Sequence, residues 1–481
     1  QSAWGLTMAE VDDVTIYQEK INPENSAQVM YKNNWVDMSK FEESINIKGK
    51  AKPYKLIIYE SPHGVLLDET KFGVNGKNLA LNWSGHHPKN NIITSFHDLA
   101  YATTVEEFKR AVSHGASPAL NVLWATKWGD IGWWVLGKFP KLPDGLSYDV
   151  VLNGWDGKHE IERYYSFEEN PHSINPESGV IVSANQKPDD EKFNFLDGYW
   201  QPAGRYEILK KRLEQKKKWK LADLMRLQLD DSIPISETFV KQILKRLDVS
   251  KLSLKEKEVL NELKKWNGKS DIESIGSSIF HMLSFYIAQN VFKDELGSKN
   301  LKKLAKSADH WHALKKVMLD LDHTFWDNVK TNRVESSQEI ITLSFKESVK
   351  SLTKRLGPRV SSWNWGRLHK LKLKHILGSR WPLNYIFNTK SLSAPGARYS
   401  VNNLGHRRLT DDFSVISGPA TRRLIDFSHP QRSLGILPSG NSGNPFSNHF
   451  EDQMSIYLNG KYRLQLMDWG RIYNLPVLKL K

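Results

Sequence analysis

No cysteine occurs among the 481 residues, which excludes disulfides and every metal or redox site built on thiolate. Compartment does not follow from this, because an exported protein can do without disulfides. The chain also lacks any run of about 18 apolar residues, so no membrane-spanning helix is expected. It opens on Gln1-Ser2-Ala3-Trp4 with no charged-then-apolar leader. If it is a fragment of a longer precursor, an export signal would lie upstream. Internal repeats and low-complexity tracts are missing. So are a Walker A loop and a His-Glu-x-x-His pair.

What is present is aromatic and basic. Seventeen Trp, sixteen Tyr and nineteen Phe supply a large core and an aromatic-lined cleft, and they rule out a disordered chain. The net charge of +14 raises the question of nucleic acid. Much of the excess sits in Lys210-Lys211-Arg212, Lys216-Lys217-Lys218 and Lys264-Lys265, on segments of helical periodicity. Such runs read as solvated helix faces. No nucleic-acid fold signature accompanies them, so no nucleic-acid partner is expected.

The first third reads as strands. Tyr54 to Glu60 is dense in β-branched and aromatic residues. Asn75-Gly76 is a hairpin signal ahead of the apolar run Leu79-Ala80-Leu81. Gly129 to Val135 reads as a turn feeding a buried strand, and Ser178 to Asn185 as an apolar strand ending on a polar residue. From about Arg205 the period changes. Phe239, Val240, Ile243, Leu244 and Leu247 recur at helical spacing. Ser253 with Glu256, and Ser336 with Glu339, form capping boxes ahead of apolar faces. Asn267-Gly268 is a helix stop, and Ile279, Phe280, Leu283, Ile287 and Val291 mark a further buried helix. After about residue 355, beginning with Ser362 to Gly366, strands and loops return. The expected organisation is one structural unit: 1–204 as the first part of an α/β core, 205–355 as a helical insertion, and 356–481 as the remaining core strands.

Two serines invite a catalytic reading. Gly440-Asn441-Ser442-Gly443-Asn444 partly resembles a nucleophile elbow, but its last position is Asn and no apolar strand runs into it. Ser442 reads as a turn residue. Ser2 lies near the N-terminus, yet a nucleophile that uses its own α-amine cannot have Gln1 in front of it.

Near the C-terminus the chain reads Ser439-Gly440-Asn441-Ser442-Gly443-Asn444-Pro445, with His449, Asp452 and Gln453 following. It opens on Trp4-Gly5-Leu6-Thr7-Met8, then Asp12-Asp13-Val14. Between them stand Trp83-Ser84-Gly85, Gln228 to Ser232, Leu263-x-x-Trp266-Asn267-Gly268, Trp365-Gly366-Arg367-x-His369, Gly396-x-x-Tyr399 and Gly418-Pro419-Ala420-x-Arg422. Together these blocks resemble the β-chain of the penicillin acylase family of N-terminal-nucleophile amidohydrolases, and they cover nearly the whole sequence.

The resemblance implies a four-layer αββα sandwich, an α+β fold, carrying a large helical insertion. It implies hydrolysis of an N-acyl amide (a penicillin, an acyl-homoserine lactone or a related N-acyl amine) with no cofactor in the chemistry. The family's nucleophile is the serine that begins the β-chain, several tens of residues before the Trp-Gly-x-Thr strand. It is therefore expected upstream of Gln1. An α-chain and an N-terminal β segment from the same precursor are the expected partners, and the periplasm or the exterior the expected location. In this resemblance Asn185 matches the oxyanion donor, an uncharged N–H source aimed where negative charge develops. Met8 matches the backbone N–H that is the second donor, and Arg205 the arginine that orients the site. Asp12 and the Val14 carbonyl match two ligands of a structural calcium, hard oxygens of the kind that ion takes. Thr15 stands where a second aspartate is usual. His63 matches a recurrent family histidine with a packed, structural role. A non-catalytic binding relative of the same fold and a basic surface-binding protein are the alternatives.

Overall fold

The computed structural model describes residues 1–67, 78–188, 193, 195–307 and 309–475. The chain divides into two compact units, Gln1–Gln201 and Pro202–Lys481. The Asn75-Gly76 hairpin signal lies outside the described residues.

The two larger sheets of the first unit carry its architecture. One orders Ser2–Met8 (β1), Leu120–Thr126 (β7), Ile131–Leu136 (β8) and His172–Ile174 (β10) as β1-β7-β8-β10. The other contains Val14–Gln18 (β2), Ser39–Ile45 (β3), Tyr54–Ser61 (β4), Gly64–Leu66 (β5), Leu79–Trp83 (β6) and Leu152–Asn153 (β9), in the order β9-β2-β6-β5-β4-β3. Alternation along β7 decides which side is covered. Leu120, Val122 and Trp124 pack with Trp134 and Leu136 of β8 against Leu99 of helix Ile92–Tyr101 (α1) and Phe108 and Val112 of helix Val105–Ser113 (α2). Asn121 and Leu123 point to the opposite face. Helix α2 starts at a full capping box, Thr104 with Glu107.

The second unit is organised around helices. Ser236–Arg246 (α5), Leu254–Lys265 (α6), Ile275–Leu304 (α7), Asp309–Leu319 (α8) and Ser337–Leu356 (α9) follow Gly204–Glu214 (α3) and Leu221–Gln228 (α4). Phe239, Ile243, Val259, Leu263, Ile279, Phe280, Leu283, Ile287, Val291, Phe345 and Leu352 join in one core. Phe239, Ile243, Ile279, Phe280, Leu283, Ile287 and Val291 among them are residues that the helical spacing selects. Both expected capping boxes are formed, with Glu256 N–H on Ser253 Oγ and Glu339 N–H on Ser336 Oγ. Gly268 stands past the end of α6 at φ +78°, a conformation that favours glycine.

Three local expectations are corrected. Ser178 to Asn185 is not a strand. Gly179 and Asn185 have φ of +66° and +67°, which interrupts any extended run. The segment meets β1 through side chains instead of a backbone ladder. The family resemblance also implies a helix through Gln228 to Ser232, but α4 ends at Gln228 and the Asp230 carboxylate turns the chain by accepting from Ser232 N–H. Trp365–Leu368 is a short helix rather than strand or loop.

Candidate active site

The site in the first unit begins with the register of β1. Ala9 N–H donates to the Ala119 carbonyl and Lys127 N–H to the Gln1 carbonyl, so odd-numbered residues of β1 form the hydrogen-bonded pairs with β7. Met8, opposite Leu120, belongs to the alternate set. Its N–H and C=O therefore both point away from β7, across the outer edge of the sheet. Among the described residues no strand pairs with that edge.

Asn185 stands at this edge. Its Nδ2 donates to the Met8 carbonyl at 2.9 Å, and the left-handed backbone at Asn185 aims the side chain there. Asn tolerates this conformation better than most side chains do. The Asn185 carbonyl accepts from Gln201 N–H at 2.9 Å, and two residues earlier Ser183 Oγ lies 2.6 Å from Thr7 Oγ1. The two expected oxyanion donors, the Asn185 amide and the Met8 N–H, are thus brought together.

A residue that sequence reading missed completes the arrangement. Asn121 lies directly opposite Thr7, and its Nδ2 donates to the same Met8 carbonyl at 3.2 Å. Trp133 Nε1 donates to Asn121 Oδ1 at 2.9 Å and fixes the amide. A buried amide inside Leu120-Asn121-Val122-Leu123-Trp124 was the available signal, since an interior polar group needs a partner. The side chain of Met8 is half exposed and carries none of this geometry.

Asp12 and Val14 sit where β2 begins. Asp13 carbonyl accepts from Ser84 N–H, so Val14 falls in the alternate set and its carbonyl points off β6. Burial first, then the charges of Asp149, Asp197 and Asp13, raise the Asp12 carboxyl to about 6. Thr15, fully buried, leaves Oγ1 without a partner. This donor chemistry suits a hard cation, which would relieve the repulsion around Asp12. Among the described residues no three acidic or histidine side chains converge into a metal cage. The donor set therefore fits the ion in charge and hardness without closing a shell around it.

His63 is packed, as expected. Its Nδ1 lies 2.9 Å from Glu19 Oε1 and its Nε2 3.0 Å from Glu160 Oε1, with the ring stacked on Tyr17. Burial opposes charge on this imidazole, but the two carboxylates outweigh it and raise its pKa. Ser442 Oγ accepts from Asn444 N–H in an exposed turn, in keeping with a turn residue. Arg205 belongs to the second unit, in the first turn of α3, where its charge acts on Arg398 and Tyr399.

Comparison with known proteins follows the same lines. The penicillin amidase family matches residues 1–474. An acyl-homoserine lactone acylase, QuiP of Pseudomonas fluorescens, is 26% identical over 99% of this chain and 60% of its own length. Penicillin G acylase of Escherichia coli is 22% identical over 95% of this chain and 55% of its own. The chain thus spans a little over half the length of these curated relatives. A thermostable penicillin G acylase from Alcaligenes faecalis superposes with a TM-score of 0.73 at 20% identity, covering 100% of this chain and 88% of that one. The likeness establishes the N-terminal-nucleophile hydrolase fold.

Proposed function

The chain belongs to the penicillin amidase family, and from that premise we propose that it forms most of an amidohydrolase acting on small N-acyl amines. The nucleophile in this reading is a serine that begins a chain segment upstream of Gln1. Its hydroxyl attacks the amide carbonyl while its own α-amine, through a water, takes the proton. The tetrahedral oxyanion is held by the Asn185 amide and by Met8 N–H. Collapse expels the amine with the transferred proton. Water then hydrolyses the acyl-serine ester, releasing a carboxylate.

The observation that carries the reading is the convergence of Asn185 and the outward-facing Met8 backbone at the outer edge of β1. Pre-aimed, uncharged donors act without reorganising as charge develops. Asn121 is a positioning residue, since it tightens the Met8 carbonyl from the adjacent strand. Arg205 is assigned to orient the amide or the α-amine. A structural calcium on Asp12 and the Val14 carbonyl would tie β2 to its neighbours and take no part in the chemistry. An α-chain from the same precursor and export to the periplasm or beyond complete the proposal. Among the described residues no helix is long and apolar enough to cross a membrane.

The test uses the complete precursor, matured and purified, and follows amine release from acyl-homoserine lactones first and from penicillins second. Hydrolysis should be accompanied by a mature chain whose first residue is serine, and replacing that serine by alanine should abolish it. Turnover that survives the replacement would place the nucleophile elsewhere and end this mechanism.

A further inference from the structure

The second unit holds a partly open cavity of about 60 Å³ between α7, α8 and the loop 398–413. Its walls are mostly apolar, including Phe280, Trp311 and Phe413. Yet four buried polar atoms on its lining residues have no hydrogen-bond partner: Ser284 Oγ, Tyr399 OH, His406 Nε2 and Arg408 Nε. Tyr399 is 8% exposed. Native interiors rarely leave such groups unsatisfied, and several around one cavity call for an occupant. Arg408 faces the Tyr399 hydroxyl closely enough to act on it, without reaching hydrogen-bond geometry. Tyr399 and Leu409, which both line the cavity, have φ of +74° and +49°. Bulky side chains are seldom held in that conformation, and it recurs at ligand clamps.

Charge narrows the ligand. The half-buried Arg398 guanidinium donates to the His406 carbonyl at 2.6 and 2.8 Å, and its charged neighbours are Arg408 and Arg205. A cationic ligand is excluded and an anion is favoured. His406 adds a further condition. Its Nδ1 lies 2.9 Å from the Arg407 carbonyl, so the neutral ring carries its proton there and Nε2 accepts. His281, His310, His369 and Arg398 face this ring, with Asp412 the nearby carboxylate. An anion that satisfies every group therefore arrives together with one proton, shared with His406 Nε2. Size decides the rest, for one water needs about 10–15 Å³ of such space. The room suits a molecule of roughly four to six heavy atoms.

We propose that this cavity binds a short-chain monocarboxylate of acetate-to-butyrate size, taken up with a proton. The carboxylate accepts from Arg408, Tyr399 and Ser284, and the alkyl group lies on Phe280 and Phe413. The inference does not depend on the acylase reading.

Isothermal titration of the complete protein with acetate, propionate and butyrate tests it, with acetamide and propionamide as uncharged isosteres. Saturable one-site binding of a carboxylate and not its amide is expected. Repeating the titration in buffers of different ionisation enthalpy should show net proton uptake. Tyr399→Phe should weaken binding roughly tenfold. Ser284→Leu, which fills the cavity, should remove it, and the conservative Tyr399→Phe keeps the test decisive if the filled variant does not fold. No saturable heat with wild-type protein, and only water in the cavity of a carboxylate-soaked crystal, would overturn the proposal. Binding of equal strength in wild type and Tyr399→Phe would overturn it too, because the carboxylate would then sit elsewhere.

Discussion

The helical core of the second unit and the outer edge of β1 in the first are satisfied to different degrees. Around α7 and α9 the large apolar side chains join one core, and the starts of α6 and α9 are closed by capping boxes. Along β1, Trp4, Leu6 and Met8 remain 38–50% exposed, and the Met8 backbone faces outward. A region that is finished converts any change into stability. A region whose donors face outward, as the proposed oxyanion site requires, converts it into rate. The contrast can be broken by variants that should separate the two quantities.

The largest effect is expected in the core. Phe345, fully buried in α9, should cost about 3–5 kcal/mol of stability as Phe345→Ala. The kcat of the molecules that remain folded should stay near wild type, as denaturant melts paired with active-site-normalised assays would show. A selective fall in kcat without a stability loss would erase the distinction.

Asn185→Ala should do the reverse in the matured enzyme. Its kcat should fall on the order of 10²–10³-fold with a smaller change in KM, because the donor matters as charge develops. Stability should hardly move. Asn121→Ser should lower kcat less and show the same pattern, as befits a residue acting through Met8. Activity of Asn185→Ala within threefold of wild type would remove the amide from the mechanism.

Asp12 sharpens the comparison within the first unit. Its carboxyl titrates near 3.8 when unfolded and near 6 when folded. Over that window the folded state binds more protons, so stability falls as pH rises from about 4 to about 6 when no cation is present. Calcium should offset the loss above that window and chelator restore it, read as a shift in Tm. Asp12→Asn should flatten the pH slope and abolish the response to calcium. An undiminished calcium shift in that variant would assign the ion to other ligands.

The smallest effect belongs to a surface cap. Ser336→Ala removes the acceptor for Glu339 N–H and should cost about 1 kcal/mol by denaturant titration, with no change in rate. A loss several times larger would mean that α9 depends on its start more than on its buried face.

The helical half was legible because its signals are local. Phe280 and Leu283, or Ser253 and Glu256, are a few positions apart, and the structure uses each pair as spacing alone suggests. The site was legible only in part. Asn185 and Met8 were found through distributed family likeness, since 177 residues separate the partners of their hydrogen bond. Reading Ser178 to Asn185 as a strand failed because apolar composition does not reveal a positive φ at its last residue. Asn121 escaped because its role depends on register, which places it opposite Thr7 and beside the Met8 carbonyl. The cavity in the second unit was invisible for the same reason, as Ser284, Tyr399 and Arg408 meet only after the helices pack.

The cover over the Met8 carbonyl has a consequence for solubility. An unpaired strand edge is a template on which another chain can zip up, and long flat edges are where aggregation starts. Here the Asn185 amide occupies the carbonyl that an incoming strand would need, and Ser183 holds Thr7 alongside it. Side chains do what a neighbouring strand would do, but only at the last residues of β1. Where Ser183 and Asn185 stand, an incoming strand would find the Thr7 side chain and the Met8 carbonyl already engaged.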